Sequence, residues 1–90
     1  MEFEWDDRKA RASVKKHGVS FHEAATIFGD PLAITFPDPD HSEEEDRSVT
    51  LGLSQSQRFL VVAHTNRDAR THIISARVMT RKEKMIYAEG

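Results

Sequence analysis

The feature that most constrains the fold of this chain is the order of its helix-like and strand-like segments. After a short first strand-like run, two helical segments are followed by four strand-like runs and a last helical segment. Strands grouped after helices, and not alternating with them, are typical of α+β proteins. The sequence therefore predicts one α+β domain over residues 1–90, with two N-terminal helices, one C-terminal helix and an antiparallel sheet of about four to five strands.

The first helix is marked by residues at both of its ends. Asp6 or Asp7 is placed to accept hydrogen bonds from the free amides of a helix N-terminus. The helix then runs to His17, and a glycine follows, which suits a left-handed C-cap. We expect Ala10 and Val14 to form its buried stripe.

Capping boxes mark the other two helices. Ser20 and Glu23 open the second helix, and Thr80 and Glu83 open the last one. In the second helix, apolar residues recur with the spacing of one buried face, at Phe21, Ala24, Ala25 and Phe28. A Gly-Asp-Pro sequence then ends this helix.

Five short runs have the alternating or β-branched composition of strands. They cover residues 3–5, 32–36, 49–53, 59–65 and 71–78. Polar turns at 54–57 and 66–69 join the last three runs, which favours an antiparallel meander. Residues 37–46 form an acidic loop with two prolines.

Composition excludes several classes of protein. The chain has no cysteine, so disulfides and thiolate metal sites are excluded and a reducing cytoplasm is the expected compartment. The acidic N-terminus has no apolar stretch behind it, which does not fit a signal peptide. No run approaches the ~20 apolar residues that span a membrane, so we expect no membrane contact.

Charge is distributed unevenly along the chain. Residues 1–46 hold five Lys or Arg and twelve Asp or Glu, a net charge of −7, whereas residues 47–90 hold eight and three, a net charge of +5. The basic half suits a polyanion such as nucleic acid, although both halves also fit an ordinary solvated surface.

The spacing of residues does not favour metal or nucleophilic chemistry. A Gly-Val-Ser break separates His17 from His22, so the two rings do not share a helical face. The three glutamates at 43–45 lack the spacing of a calcium loop. The chain has no Gly-x-Ser-x-Gly elbow and no Walker loop. We therefore expect neither a metal nor another cofactor.

Cleavage of RNA suits the residues that the chain does contain. The 2′-hydroxyl of RNA is an internal nucleophile, so the enzyme needs a base, an acid and fixed cations but no cofactor. Histidine transfers protons near neutrality, which makes His17 and His64 the candidates. The alternatives are a helix-end cation or a partly buried ring beside Ala10 and Val14 for His17, and a solvent-facing strand end for His64. We expect His22 and His41 to be surface residues.

Arginine suits the phosphate because its planar fork can bond two oxygens together. Arg77 lies inside the last strand, where alternation places it on one face with Ile73 and Ser75. Its alternative role is a salt bridge to Glu23 or Asp30.

Four more arginines lie where an RNA backbone could be contacted. Arg47 opens a strand, and Arg81 opens the last helix, at an end that attracts phosphate. Arg67 and Arg70 flank a turn and would reach RNA as loop cations.

The order and spacing of these residues resemble the BrnT family of toxins from type II toxin–antitoxin systems. The resemblance covers essentially the whole chain, and no single motif carries it. The matching segments are Trp5-Asp6, Lys16-His17-Gly18-Val19-Ser20-Phe21, Glu23-Ala24, Phe28, Asp30-Pro31, Ile73-Ile74-Ser75-Ala76-Arg77, Thr80-Arg81-Lys82-Glu83 and Tyr87.

This resemblance implies a RelE-like ribonuclease toxin, with a curved antiparallel sheet flanked by helices, that cuts RNA and so blocks translation and growth. It implies a BrnA-like antitoxin with a ribbon–helix–helix DNA-binding domain. The antitoxin would neutralise the toxin, and the complex would repress its operon, so that operator DNA is reached only through the antitoxin. We expect the inhibitory segment to be acidic or amphipathic and to dock on an exposed apolar patch.

Site residues follow from the residues and the resemblance together. The expected catalytic residues are Arg77, His17, Arg47 and His64. The expected RNA-binding residues are Lys16, Arg67, Arg70 and Arg81. The resemblance matches Lys16, His17, Arg47, Arg77 and Arg81 to family positions, and it leaves the general acid and base unassigned.

Two other functions stay open at this point. A catalytically inactive relative would act only as an antitoxin-binding module or co-repressor, and it would form a complex without cleaving RNA. An unrelated metal-dependent enzyme would use the histidines, and a chelator would abolish its activity.

Overall fold

A computed structural model describes residues 1–38 and 46–90 of the chain. Its strands are β1 (Glu2–Trp5), β2 (Ile34–Pro37), β3 (Arg47–Leu53), β4 (Phe59–Arg67) and β5 (Arg70–Val78). Its helices are α1 (Asp7–His17), α2 (Phe21–Thr26), which continues as a 3₁₀ turn over Ile27–Gly29, and α3 (Arg81–Glu89). The predicted α+β class is confirmed. No described helix is long and apolar enough to cross a membrane.

All five described strands form one mixed sheet in the order β1-β5-β4-β3-β2. Strands β2 to β5 pair antiparallel in sequence order, but β1 pairs parallel with β5. The prediction of an antiparallel sheet was therefore wrong for β1. Two helices separate β1 from the other strands, so it has no hairpin partner and joins the sheet at the free edge of β5.

The caps of α1 and α3 lie where the sequence predicts them. The Asp6 carboxylate accepts hydrogen bonds from two amides in the first turn of α1, and Gly18 takes the left-handed conformation at φ 68°. In α3, the Thr80 hydroxyl accepts from the Glu83 amide, and the Glu83 carboxylate accepts from the Thr80 amide. Both helix boundaries are therefore set by local hydrogen bonds.

Only half of the predicted capping box of α2 forms. The Ser20 hydroxyl accepts from the Glu23 amide at 3.0 Å, as predicted. The Glu23 carboxylate does not return to Ser20, and instead accepts hydrogen bonds from the Ser54 hydroxyl and the Arg58 guanidinium. Glu23 thus ties α2 to the turn between β3 and β4.

The buried side of α1 differs from the predicted stripe. Ala10 packs against the core, but Val14 is 51% exposed, so the prediction was wrong for Val14. Ser13 is buried in its place, and its hydroxyl lies 2.8 Å from the carbonyl oxygen of Val19 and 3.2 Å from that of Ala76. The single proton of this hydroxyl is shared between two backbone acceptors, one from the turn after α1 and one from β5.

Different helices pack on the two faces of the sheet. On one face, which we call the helix face, α1 and α2 cover the larger hydrophobic cluster. Its buried members are Val19, Phe21, Ala24, Ile27, Leu60, Val62, Ile73 and Ala76. The predicted apolar side of α2 is confirmed, since Ala25 and Phe28 also pack against this cluster. On the opposite face, α3 places Tyr87 against a smaller cluster of Leu51, Val61 and Met79.

A β-bulge in β5 changes which side chains share a face. The pairing with β4 shifts between Ser75 and Ile73, so Ile74 has no partner in the ladder. Ile73 and Ala76 consequently both belong to the cluster on the helix face. The prediction that Ile73 shares a face with Ser75 and Arg77 was therefore wrong.

The turn between β4 and β5 uses two residues with positive φ, Asp68 at 49° and Ala69 at 66°. Positive φ at both central residues defines the hairpin turn that matches the twist of its strands. Alanine is strained there because its Cβ crowds the neighbouring carbonyl oxygen.

Candidate nucleic-acid interface

A row of polar side chains crosses four strands on the face opposite α1 and α2. The register places Arg47 of β3 beside Thr65 of β4, Thr65 beside His72 of β5, and His72 beside Glu4 of β1. Residues that lie directly opposite each other point to the same face of a sheet. We call these four residues the polar row.

Arg77 lies on the same face as the polar row, nearer to α3. Its Nη1 and Nη2 donate to Oε1 and Oε2 of Glu83 at 2.8 and 2.9 Å. The alternative role of Arg77 in a salt bridge is therefore confirmed, but the predicted partners Glu23 and Asp30 are wrong. The hydrogen bonds from Arg77 lower the pKa of Glu83 to about 2, and the pKa of Arg77 is raised in turn. We call the polar row together with Ser75 and Arg77 the arginine face.

Arg47 is also held by a carboxylate. Its Nε lies 3.2 Å from Oδ2 of Asp38, at the end of β2, and its side chain is 23% exposed. Thr65, its neighbour in the polar row, is 3% exposed. Arg47 therefore lies at one end of the row, where its Nε is buried in an ion pair with Asp38 but makes no hydrogen bond of good geometry among the described residues.

His72 and Glu4 are the residues of this face that the sequence reasoning missed. The Nδ1 atom of His72 lies 3.0 Å from Oε2 of Glu4, and Nη1 of Arg70 lies 3.7 Å from the other carboxylate oxygen. Alternation places His72 on the face of Arg70, but only the bulge at Ile74 brings that face to the same side of the sheet as Arg77. No local signal, however, pairs β1 with β5.

His64 lies behind the arginine face, on the helix face of β4. It is 7% exposed, its Nε2 lies 2.7 Å from the Thr50 hydroxyl, and the ring of Phe28 packs edge-on against it at 4.9 Å. Its Nδ1 is buried without a hydrogen-bond partner among the described residues. Burial lowers the pKa of His64, so the ring is neutral at pH 7. The structure does not bring His64 together with Arg47 and Arg77.

Lys16 and His17 lie at the C-terminal end of α1. They line a cleft of about 270 Å³ together with Ser75 and Ala76 of β5. The cleft lies beside the part of β5 that continues beyond β1, and Ser75 is the residue of the arginine face that lines it. His17 is exposed and does not have the partly buried position that the sequence allowed.

The other predicted RNA-binding residues lie at the two ends of this face. Arg67 and Arg70 pair across the turn between β4 and β5, and the Arg70 side chain is 55% exposed. Arg81 is exposed in the first turn of α3, four residues after Arg77. The structure therefore places cations at both ends of the face that carries Arg47 and Arg77.

Glu23 and Asp30 have structural partners elsewhere. The hydrogen bond from Arg58 lowers the pKa of Glu23. Asp30 accepts hydrogen bonds from the Leu53 amide and from the Tyr87 hydroxyl, and the bond to Asp30 raises the pKa of Tyr87 to about 12. Neither carboxylate faces the polar row.

Within residues 1–38 and 46–90, no group of three or more His, Cys, Asp or Glu side chains is arranged to hold a metal ion. His22, one of the predicted surface histidines, is exposed and packs edge-on against the Trp5 ring at 4.8 Å. His41 and the glutamates at 43–45 lie outside the described residues.

These observations define a small α+β protein with cationic side chains along one face of a mixed sheet. A family model described as "Ribonuclease toxin, BrnT, of type II toxin-antitoxin system" matches residues 5–83, and the chain belongs to this family. The resemblance seen in the sequence is thereby confirmed. The fold is similar to that of the Brucella abortus ribonuclease toxin BrnT, with a TM-score of 0.70 and 21% sequence identity over 90% of this chain and 99% of that one. No curated protein sequence matches significantly.

Proposed function

We propose that this protein is a metal-independent endoribonuclease toxin that binds and cuts RNA on the arginine face and thereby inhibits translation. The observation that carries the proposal is the geometry of the Arg77 guanidinium, which donates two parallel hydrogen bonds to one carboxylate. Arg77 lies on the same face of the sheet as Arg47 and the rest of the polar row. Membership of the ribonuclease toxin family supports this activity.

A carboxylate holds Arg77 in the geometry that a phosphate requires, and another carboxylate lies beside Arg47. Two oxygens of Glu83 occupy the fork of Arg77, and two oxygens of a phosphodiester fit the same fork. RNA therefore replaces Glu83 at a site on Arg77 that is already oriented, and it displaces Asp38 from beside Arg47. The guanidinium groups then stabilise the charge that develops on the phosphorane.

The separation of the arginines suits one RNA strand. Arg77 is level with Val61 of β4, and Arg47 is level with Thr65, four residues further along that strand. This separation is about 13 Å along the sheet. Arg47 and Arg77 therefore bind different phosphates of the same strand, and Arg70 or Arg67 extends the contact beyond Arg47.

Lys16, His17 and His64 act from outside the polar row. RNA bound on the arginine face extends into the cleft beside Ser75, where Lys16 and His17 contact the sugar-phosphate backbone of the RNA. His64 cannot reach RNA on the arginine face, because its ring is buried on the other side of the sheet. Its contribution is to hold β3 against β4 through the Thr50 hydroxyl, directly behind the polar row.

A protein antitoxin is the proposed partner. Large apolar side chains are exposed beside the arginine face and on α3, namely Phe36, Phe59, Met85 and Ile86. They suit an amphipathic antitoxin segment whose carboxylates displace RNA from the arginines. We propose a BrnA-like, ribbon–helix–helix antitoxin that neutralises the toxin in the cytoplasm and, in the complex, represses their operon.

The decisive experiment is induced expression of the wild-type chain and of Arg77→Ala at matched protein levels, followed by cleavage assays with both purified proteins. We expect wild-type protein to stop growth and to cut RNA in the presence of a chelator, and the variant to do neither. Unhindered growth with both chains and no cleavage would reject the ribonuclease function, and a stable complex with the antitoxin would then identify a catalytically inactive antitoxin-binding module. Activity that disappears with chelator would reject metal independence.

A further inference from the structure

The one histidine of the arginine face has the arrangement of a general base. His72 lies in the polar row, and its Nδ1 is 3.0 Å from Oε2 of Glu4. A carboxylate accepts hydrogen bonds, so in the neutral ring the proton lies on Nδ1 and the lone pair on Nε2. Nε2 is the nitrogen that points away from Glu4 and is available to a substrate.

The neighbours of His72 are those that RNA cleavage requires. Arg70 lies 3.7 Å from the same carboxylate, and Arg47 lies two strands away across Thr65. Adjacent strands are about 4.8 Å apart, so a phosphodiester over Thr65 lies between the Arg47 side chain and the imidazole. His64, by contrast, is buried on the helix face, where its ring packs against Phe28 and its Nε2 is hydrogen-bonded to Thr50.

We propose that His72 is the general base of the cleavage reaction and that Glu4 is the positioning residue that fixes its tautomer; this inference rests on the proposed ribonuclease function. Nε2 takes the proton of the 2′-hydroxyl as the 2′-oxygen forms a bond to phosphorus. The bond from phosphorus to the 5′-oxygen breaks, and that oxygen takes a proton from water. The products are a 2′,3′-cyclic phosphate and a 5′-hydroxyl, and the imidazolium returns its proton to the solvent.

Single-turnover cleavage of RNA by His72→Ala tests the proposal. We expect the rate to fall by about 100-fold or more, because a positioned base contributes at least that much. RNA binding is retained, and imidazole added to the buffer restores part of the rate. The matched control is His22→Ala, which removes an exposed histidine that packs on Trp5 and leaves the rate unchanged.

Two further variants separate a chemical role from a structural one. His72→Asn keeps a donor for Glu4 but has no base, so we expect the fold to persist and the rate to fall as in His72→Ala. Glu4→Gln keeps an acceptor but loses the charge, and we expect a lower kcat with little change in KM. Both results would support Glu4 acting through the imidazole.

The possible failures are distinguishable. If wild-type protein cuts RNA and His72→Asn cuts it equally fast, the role of His72 is rejected and the proposed function stands. A loss of activity in His72→Ala that imidazole does not restore, accompanied by a lower melting temperature, would show that His72 only holds β1 to β5. If wild-type protein cuts no RNA, the proposed function and this inference both fail.

Discussion

His64 and His72 lie on neighbouring strands of one sheet, the first on the helix face and the second on the arginine face. His64 is buried against Phe28, and its Nε2 is bonded to the Thr50 hydroxyl. His72 is bonded to Glu4 through Nδ1, and its side chain is 16% exposed. The same residue type therefore supports packing on one face and is available for proton transfer on the other, because the surroundings of each ring differ.

Two arginine–carboxylate pairs show the same contrast between a structural helix face and a functional arginine face. Arg58 joins Glu23 of α2 and the Gly18 carbonyl oxygen, so it fastens the helices to the turn between β3 and β4. Arg77 joins Glu83 within a short stretch of chain, at the edge of the arginine face. We therefore expect residues of the helix face to determine stability and residues of the arginine face to determine activity.

The largest effect is expected in the core of the helix face. Phe21 is 1% exposed, and we expect Phe21→Ala to lower the free energy of unfolding by roughly 3–5 kcal/mol. Urea denaturation measures this change, and Val14→Ala at an exposed position of α1 is the control, with an effect below about 0.5 kcal/mol. If the two variants lost similar amounts of unfolding free energy, packing of α2 on the core would not determine stability.

The two arginine pairs should respond in opposite ways. Arg77→Ala is expected to lower kcat/KM for RNA by roughly 100-fold, since it removes a cation that stabilises the transition state. Its ion pair is partly exposed, so we expect a stability loss of at most about 1 kcal/mol. Arg58→Ala is the matched variant, and it should lose stability yet keep its activity per folded molecule. Equal activity losses in both would refute the division between the faces.

Stability below neutral pH should depend on His64. Burial lowers its pKa below the ordinary value of 6.5, so the unfolded chain binds more protons than the folded one once the pH falls below that value. The contribution of the neutral ring is complete above pH 6.5 and declines on acidification by at most about 1.4 kcal/mol per pH unit. Urea midpoints between pH 7.5 and 5 should therefore fall less steeply for His64→Gln than for wild type. Parallel curves would contradict this.

The smallest effect concerns the turn that connects β4 and β5, outside both faces. Ala69 has φ 66°, and Ala69→Gly relieves the strain of its Cβ while completing an Asp-Gly turn. We expect a gain of about 0.5–1 kcal/mol in the free energy of unfolding, with cleavage unchanged. Ala12→Gly in α1 is the matched control and should lose about 1 kcal/mol. Destabilisation by both substitutions would show that the turn is not strained.

Much of the fold is predictable from local sequence. The caps at Gly18 and Thr80 were identified correctly, and Asp6 was one of two candidates for the start of α1, because each cap is satisfied by backbone groups within a few residues. The apolar side of α2 follows from its spacing. The alternation along β5 could not be predicted, because the bulge at Ile74 arises from its pairing with β4.

The candidate site likewise has features that the sequence predicts and features that depend on the fold. The sequence alone determined which chemical groups are available, with arginines and histidines for RNA and no cysteine, and it determined where helices begin and end. Only the tertiary structure decided that β1 lies beside β5, that Glu4 meets His72, and that Glu83, not Glu23, holds Arg77. Helix caps depend on residues three or four positions apart, whereas these partners are chosen by strand register and by the docking of α3, which depend on the packing of the whole chain.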